Sequence, residues 1–319
     1  MFIKRSNKLL LTSIIMLSLF VTACRGVNKG TVSAENVDGK TKTVSTVNGD
    51  IEIPVEPKKI VVDGYLPSVL TLGIKPVGST ASDLKNVHIQ DMVSGIEVIG
   101  GEEDGLSPEA ILELKPDLII TLIGSGADND KYEQISKIAP TISIPFGTYK
   151  DVHSELKGLG EMLGKEKEAE DWLKDYDKRV EAARGKIKGL IEDKETVSIL
   201  GAYSKGFYVY GNGGYRGGQA IYRNLKLTPP ETIQKELMDA GETFKQISFE
   251  VMKDYAGDYI FFDESYGGKI DKSNSMLKSL EAVKNDKVFY LDPDFFWPYD
   301  PIAVINQTEK VVQMLSEKR

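Results

Sequence analysis

The chain has 319 residues, 41% of them apolar, and a formal net charge of −8. That is enough apolar sequence for a sizeable core, while the acidic balance argues against nucleic acid and against electrostatic docking on anionic lipid. One cysteine excludes an internal disulfide, and the only two histidines, His88 and His153, lie far apart without metal-ligand spacing, so both are expected at the surface.

Lys4, Arg5 and Lys8 precede an apolar run from Leu9 to Val21, shorter than the roughly 20 apolar residues a spanning helix needs. This is the pattern of a secretion signal over residues 1–23. Val21-Thr22-Ala23-Cys24 resembles a bacterial lipobox, which implies that Cys24 is diacylated and becomes the mature N-terminus. Acyl chains contribute about 0.8 kcal/mol per buried CH2, enough for two of them to anchor a chain without a transmembrane segment. Residues 24–43 show no helical or sustained strand period and read as a flexible tether. Val44 to Ile53 then reads as a hairpin around Asn48-Gly49.

Apolar runs with the look of buried parallel strands follow: Lys59 to Val62, Pro76 to Gly78, Asp117 to Leu122 and Thr141 to Ile144. Helical segments fall between them, at Leu66 to Leu72, Ser107 to Leu114 and Tyr132 to Ile138, so a small, mostly parallel sheet is expected. Next comes the clearest amphipathic helix, from about Lys165 to Leu190, with Ala169, Trp172, Leu173, Tyr176, Val180, Ala183 and Ile187 on one stripe. At 1.5 Å per residue it spans roughly 40 Å, the height of a domain pair. It reads as a strut. The second half repeats the α/β style, with strands at Thr196 to Leu200, Gly206 to Tyr210, Asp258 to Phe262 and Val288 to Leu291. Helices are expected at Gly218 to Asn224, Ser248 to Asp254, Ser275 to Leu280 and Ile302 to Lys318.

An internal echo links the halves. Ser107-Pro108-Glu109 followed by Asp117-Leu118-Ile119-Ile120 matches, at one constant offset, Ser248-Phe249-Glu250 followed by Asp258-Tyr259-Ile260-Phe261. Each copy reads as a serine N-cap, a glutamate in the first turn where the helix dipole favours it, a short helix and a strand. Glu109 and Glu250 are therefore expected at equivalent places on two lobes.

With the lipobox, the paired Ser-x-Glu units, the Leu72-Gly73-Ile74-Lys75-Pro76-Val77-Gly78 turn, the Lys115-Pro116-Asp117-Leu118 segment and the strut, the chain resembles the iron-siderophore-binding lipoproteins of bacterial ABC importers. The resemblance runs from about Thr43 to Lys318. It implies two α/β lobes, 44–164 and 191–319, joined by the backbone helix 165–190, with a shallow ligand cleft between the lobes and little closure. It implies a monomer, lipid-anchored on the extracytoplasmic face of the cell membrane, which hands a ferric siderophore to ABC permease subunits. In that family one glutamate on each lobe meets the permease, and the matching positions are Glu109 and Glu250. No cofactor is implied; the iron is cargo, held by the siderophore and not directly by the protein.

The subtype depends on the cleft. Tyr208 to Gly218 resembles the segment of hydroxamate-binding members in which an arginine followed by Gly-Gly opens a helix and contacts the oxygens around the iron. The arginine matches Arg216; the tryptophan those members often place two residues earlier is Gly214 here, with Tyr215 beside the arginine. A guanidinium suits iron-bound oxygens because it donates several hydrogen bonds in a fixed fork. Aromatic residues fall at or beyond the carboxyl ends of the expected strands, where open α/β sheets take ligands: Tyr65, Phe146, Tyr149, Tyr266 and the run Phe295-Phe296-Trp297-Pro298-Tyr299. The candidate ligand set is Arg216, Tyr215, Trp297, Tyr65, Tyr208, Tyr266, Phe146 and Tyr299. Arginine is scarce after the signal, at Arg25, Arg179, Arg184, Arg216, Arg223 and Arg319 only, which favours a neutral or weakly charged ferric hydroxamate over a carboxylate-rich chelate.

Rival readings are a catecholate siderophore, haem or cobalamin receptor on the same fold, a zinc or manganese importer, and an enzyme. The metal importer lacks histidines, and the enzyme lacks any nucleophile–base motif, phosphate loop or dinucleotide fingerprint. Haem would call for an axial Tyr, His or Met, which the tyrosines could supply.

Overall fold

The computed structural model describes residues 41–101, 105–124, 129–203, 206–214, 216–265 and 273–318. The signal, Cys24 and most of the tether, together with Tyr215 and Tyr266, lie outside them. Strands β1 (Thr41–Thr46) and β2 (Gly49–Pro54) pair antiparallel, three residues earlier than the expected start at Val44. Their two-residue loop is Val47-Asn48, and Gly49, at φ +103°, opens the second strand. Val44 and Ile53 turn inward and join the first core.

That core covers one face of a sheet of five parallel strands in the order β5-β4-β3-β8-β9, and a smaller cluster with Val61, Ile111, Ile119 and Ile135 covers the other. They are β3 (Ile60–Asp63), β4 (Gly78–Ser79), β5 (Glu97–Val98), β8 (Leu118–Ile123) and β9 (Thr141–Pro145); β6 (Gly100–Gly101) and β7 (Gly105–Leu106) form a small separate pair. Strands of a sheet covered on both faces must be apolar throughout, which is why β8 reads Leu-Ile-Ile-Thr-Leu-Ile.

The second sheet, in the order β12-β11-β10-β13-β14, is mixed. Strands β10 (Val197–Tyr203), β13 (Tyr259–Asp263) and β14 (Val288–Leu291) run parallel, whereas β11 (Gly206–Tyr210) runs antiparallel to both β10 and β12 (Phe244–Ile247). The edge strand β12 escapes the sequence reading because three of its four residues, Phe244, Lys245 and Gln246, are exposed.

Two long helices straddle the two cores. The strut Glu166–Ile187 buries Ala169, Leu173, Tyr176 and Val180 in the first core and Ala183 and Ile187 in the second. The C-terminal helix Pro301–Glu317 does the same with Val304 and Ile305, then Val311, Val312 and Leu315. Where strut, C-terminal helix and second lobe meet, Tyr176 donates to Asn224 Oδ1 at 2.9 Å and Asn224 Nδ2 donates to Thr308 at 2.8 Å.

A further helix, Val152–Leu163, was not expected from the sequence. It starts at a capping box between Asp151 and Ser154 and ends at Gly164 in the left-handed region. Gly158 and Gly160 weaken its propensity but allow close packing, since a Cβ on Gly158 would lie 2.6 Å from the Tyr149 ring.

His88 corrects the surface expectation. It is half-buried, with Nε2 2.8 Å from the Phe295 carbonyl and Nδ1 3.2 Å from Asn306, while neighbouring Asn86 donates to Asp300 at 2.8 Å. These contacts join the first lobe to the start of the C-terminal helix. His153 is half-buried as well, its side chain 41% exposed, and faces Asp177 at 2.9 Å.

Candidate functional site

Strand β13 is buried along its whole length and ends in a carboxylate, Asp263, with no exposed surface. A lone buried charge would cost several kcal/mol, so its partners decide whether this strand end is stable. Arg216 Nε donates to Oδ2 at 2.8 Å, the Tyr210 hydroxyl reaches the same oxygen at 3.5 Å, and Ser265 donates to Oδ1. Burial, and then the Asp263 charge, push the Tyr210 phenol well above its ordinary range, so it remains a donor.

Tyr210 reaches the acid because Gly201, which pairs with Asp263 across β10 and β13, has no side chain. A Cβ there would stand 2.9 Å from the Tyr210 ring and 3.1 Å from Asp263 Cβ. The glycines before and after Arg216 serve the same end. A Cβ on Gly218 would be 2.2 Å from the Gly211 carbonyl, and Gly217 holds φ +77°. The glycine-rich segment thus folds tightly on itself. Arg216 shares the left-handed conformation, φ +52°, at a cost of about 1–2 kcal/mol for a residue with a Cβ. Just beyond, Gln219–Asn224 winds as a π-helical turn, with the Leu225 N–H bonded to the Ala220 carbonyl, five residues back.

The guanidinium is stacked as well as paired. The Trp297 ring centre lies 3.8 Å from Arg216 Cζ, and the Tyr210 ring 5.8 Å away. Trp297 is therefore the aromatic partner that the residues preceding Arg216 left open. Tyr299 stands over Gly214, where a Cβ would meet its ring at 2.9 Å, so the space of a side chain at position 214 is filled from the C-terminal segment. Tyr299 in turn meets Phe146 of the first lobe edge-on at 6.4 Å.

With the Arg216 side chain 4% exposed, its Nη1 is buried and has no hydrogen-bond partner among the described residues. Buried donors are almost always satisfied, and one left open costs about 1–3 kcal/mol until something accepts from it.

The other expected residues divide. Phe146 and Trp297 are exposed, at 45% and 37%. Tyr65, at 8%, packs into the first core edge-on to Tyr149 at 6.1 Å, and burial followed by the nearby Glu155 charge pushes its phenol up. Tyr208 is half-buried against the second core, tilted on Phe244 at 6.2 Å. Glu109 and Glu250 are both exposed. The Ser107 hydroxyl donates to Glu109 at 3.3 Å, and a hydrogen bond from Ser248 holds the Glu250 carboxyl below its usual range. Ser107 caps its helix as expected; Ser248 does not, because its helix begins only at Met252. Cavities of about 410 Å³ beside Phe262 and Tyr290 and about 470 Å³ beside Tyr132 and Thr141 lie elsewhere.

Residues 76–295 match the family described as Periplasmic binding protein. The chain belongs to that family. It is 35% identical to the iron(3+)-hydroxamate-binding protein YxeB of Bacillus subtilis, with 98% of each chain covered, and 37% identical to the iron(3+)-hydroxamate-binding protein FhuD of the same organism, over 95% of this chain and 96% of that one. A crystal structure of a FhuD fold-family periplasmic binding protein, a component of a Fep/Fec-like ferrichrome ABC transporter from Bacillus subtilis, superposes with a TM-score of 0.77 at 37% identity, covering 86% of this chain and all of that one. The family and these relatives are binding proteins.

In this periplasmic binding protein the sequence reading missed Asp263, Tyr210 and Ser265, which position the arginine. One signal was available: an aspartate closing an otherwise apolar strand, Tyr-Ile-Phe-Phe-Asp, needs a buried partner. Among the described residues no group of three His, Cys, Asp or Glu is placed to hold a metal ion, and no helix is long and apolar enough to cross a membrane.

Proposed function

We propose that this chain is the extracytoplasmic receptor of an ABC importer, taking up a ferric hydroxamate siderophore and releasing it unchanged to the permease. The observation that carries this reading is the Arg216 guanidinium, pinned by Asp263, faced by an exposed tryptophan and keeping an unsatisfied N–H. A ferric hydroxamate offers the complement: oxygens with residual negative charge around an iron already fully ligated, on a body with apolar surface for Trp297, Tyr299 and Phe146. Tyr215, Tyr266, Tyr65 and Tyr208 complete the proposed set, the last two mainly by supporting the wall. The relatives bearing the hydroxamate name support the ligand class.

The wider arrangement belongs to the same proposal. Signal 1–23 is removed, acylated Cys24 anchors the tether 24–43, and a monomer with lobes 44–164 and 191–319 about helix 165–190 docks on the permease through Glu109 and Glu250. Nanomolar capture requires about 12 kcal/mol net, and one charged hydrogen bond contributes about 1.5–3, so the rings must supply much of the rest. Ferrichrome and ferrioxamine B titrated against intrinsic fluorescence test the reading. Both are expected to quench, Trp297→Phe to remove most of the quench while Trp172 remains, and Arg216→Ala to weaken binding at least tenfold. A folded protein that ignores both complexes refutes it.

A further inference from the structure

Asp263 does two things to the arginine that the ligand meets. It occupies the Nε edge at 2.8 Å, so the side chain cannot rotate and the unpaired Nη1 is held in one direction. It also places a full negative charge, itself without exposed surface, against the only guanidinium that the described residues bring to the site, which leaves the Arg216–Asp263 unit with no net charge. Tyr210 and Ser265 both meet the acid, which holds it in place. In a dry environment the charge of such a unit sets which ligand charge is tolerated, because water is not there to screen it.

Resting on the hydroxamate reading, we propose that Asp263 is the residue that sets ligand charge: it positions Arg216 as a directional donor while cancelling its charge, so the receptor accepts neutral ferric complexes and discriminates against anionic, carboxylate-ligated ones. The arginine alone would attract any anionic chelate. Paired, it offers hydrogen bonds without a net field.

Asp263→Asn tests this, since the amide keeps the shape and an oxygen for Nε while removing the charge. Affinities for ferrichrome, a neutral hydroxamate complex, and for ferric citrate, an anionic carboxylate complex, are measured on wild type and variant, and the preference is the ratio of the two dissociation constants. The variant is expected to shift that ratio at least fivefold toward ferric citrate, whereas Asp263→Glu, which restores the charge, shifts it less than twofold. Should Asp263→Asn not fold, the pair Arg216→Gln with Asp263→Asn removes both charges together; it is expected to bind ferrichrome more weakly yet keep the wild-type ratio within twofold. An unchanged ratio in folded Asp263→Asn, or a shift toward ferric citrate in the double variant, overturns the proposal. Wild type that binds no hydroxamate complex overturns the functional reading instead, so the two failures are distinguishable.

Discussion

Both lobes end an interior strand of their sheet with an aspartate, and both meet it with a cation, but the two pairs live in different media. In the first lobe Asp63 closes β3, accepts from Thr121 at 2.7 Å and pairs with Lys131 at 2.7 Å, the side chains being 25% exposed for the lysine and 16% for the acid. In the second, Asp263 closes β13 and pairs with Arg216 at 2.8 Å, with 0% and 4% exposed. Water reaches the first pair and shares its charges. The second is dry, so its geometry is fixed by direct bonds alone, and that rigidity aims a leftover N–H. One motif serves as a wet clasp in one lobe and, in the function proposed above, as a recognition element in the other.

The sharpest way to break this comparison is to delete each acid. Asp263→Ala leaves a buried guanidinium without its counter-charge and is expected to cost about 3–5 kcal/mol. Asp63→Ala leaves an ammonium that can turn toward solvent and should cost about 1 kcal/mol. Urea unfolding of both variants measures the difference, and equal losses would show that the exposure contrast has no energetic meaning.

Titration sharpens the comparison next. The first lobe holds carboxyls raised by burial, Asp83 to about 6 and Glu155 to about 7, the latter raised further by Asp300 and partly offset by a hydrogen bond from Ser68. In the second lobe Glu236 is held below its ordinary value by Lys245, and on the C-terminal helix Glu309 is lowered by Arg179. The signs are opposite. A raised carboxyl binds its proton more tightly in the folded state, so its contribution is full below its unfolded value of 4.5 and is lost as pH rises through about 7. Glu155→Gln keeps an acceptor for Ser68 and removes the titration. It should be more stable than wild type by about 1–3 kcal/mol at pH 8 and equal to it at pH 4.5. Melting curves at the two pH values decide, and a gain that is the same at both sinks the assignment.

What could be read in the sequence was whatever depends on near neighbours. The strut's stripe needs only helical spacing, and all of its predicted members are buried except Trp172, which is half-buried and stacks on Tyr176 at 5.5 Å. The strands β8, β10 and β13 are apolar runs, and a buried parallel strand is visible as composition. Arg216 was legible too, through the glycines around it. Trp297 and Tyr299 were in the candidate set with it, but which of the many aromatics would face the guanidinium was not legible, and neither was Asp263, because these residues come from segments far along the chain. The glycines serve packing that no local pattern shows: Gly201, Gly214 and Gly218 make room for the protein's own Tyr210, Tyr299 and Gly211 carbonyl. Local rules also failed where they conflicted with packing, as in Val152–Leu163, whose two glycines hid a helix that its neighbours require.

The repeated Ser-x-Glu unit gives the smallest and most discriminating contrast between the lobes. Asp117 and Asp258 do the same work in both: each accepts from backbone N–H groups at the start of the neighbouring strand, Lys58 and Lys59 in one case and Thr196 in the other, at 2.7–2.9 Å. The serines differ. Ser107 accepts from the Ala110 N–H at 3.2 Å and caps a helix of seven residues, while Ser248 directly follows β12, four residues ahead of a helix of only four. An N-cap serine replaced by alanine costs about 1 kcal/mol, and a surface serine outside a cap stays within about 0.5. Ser107→Ala should therefore lower the unfolding free energy by about 1 kcal/mol and Ser248→Ala should leave it nearly unchanged. Because both hydroxyls also bond the glutamate two residues on, a matched loss in the two variants would mean that the serine–glutamate bond, and not the cap, is what each lobe retains the serine for.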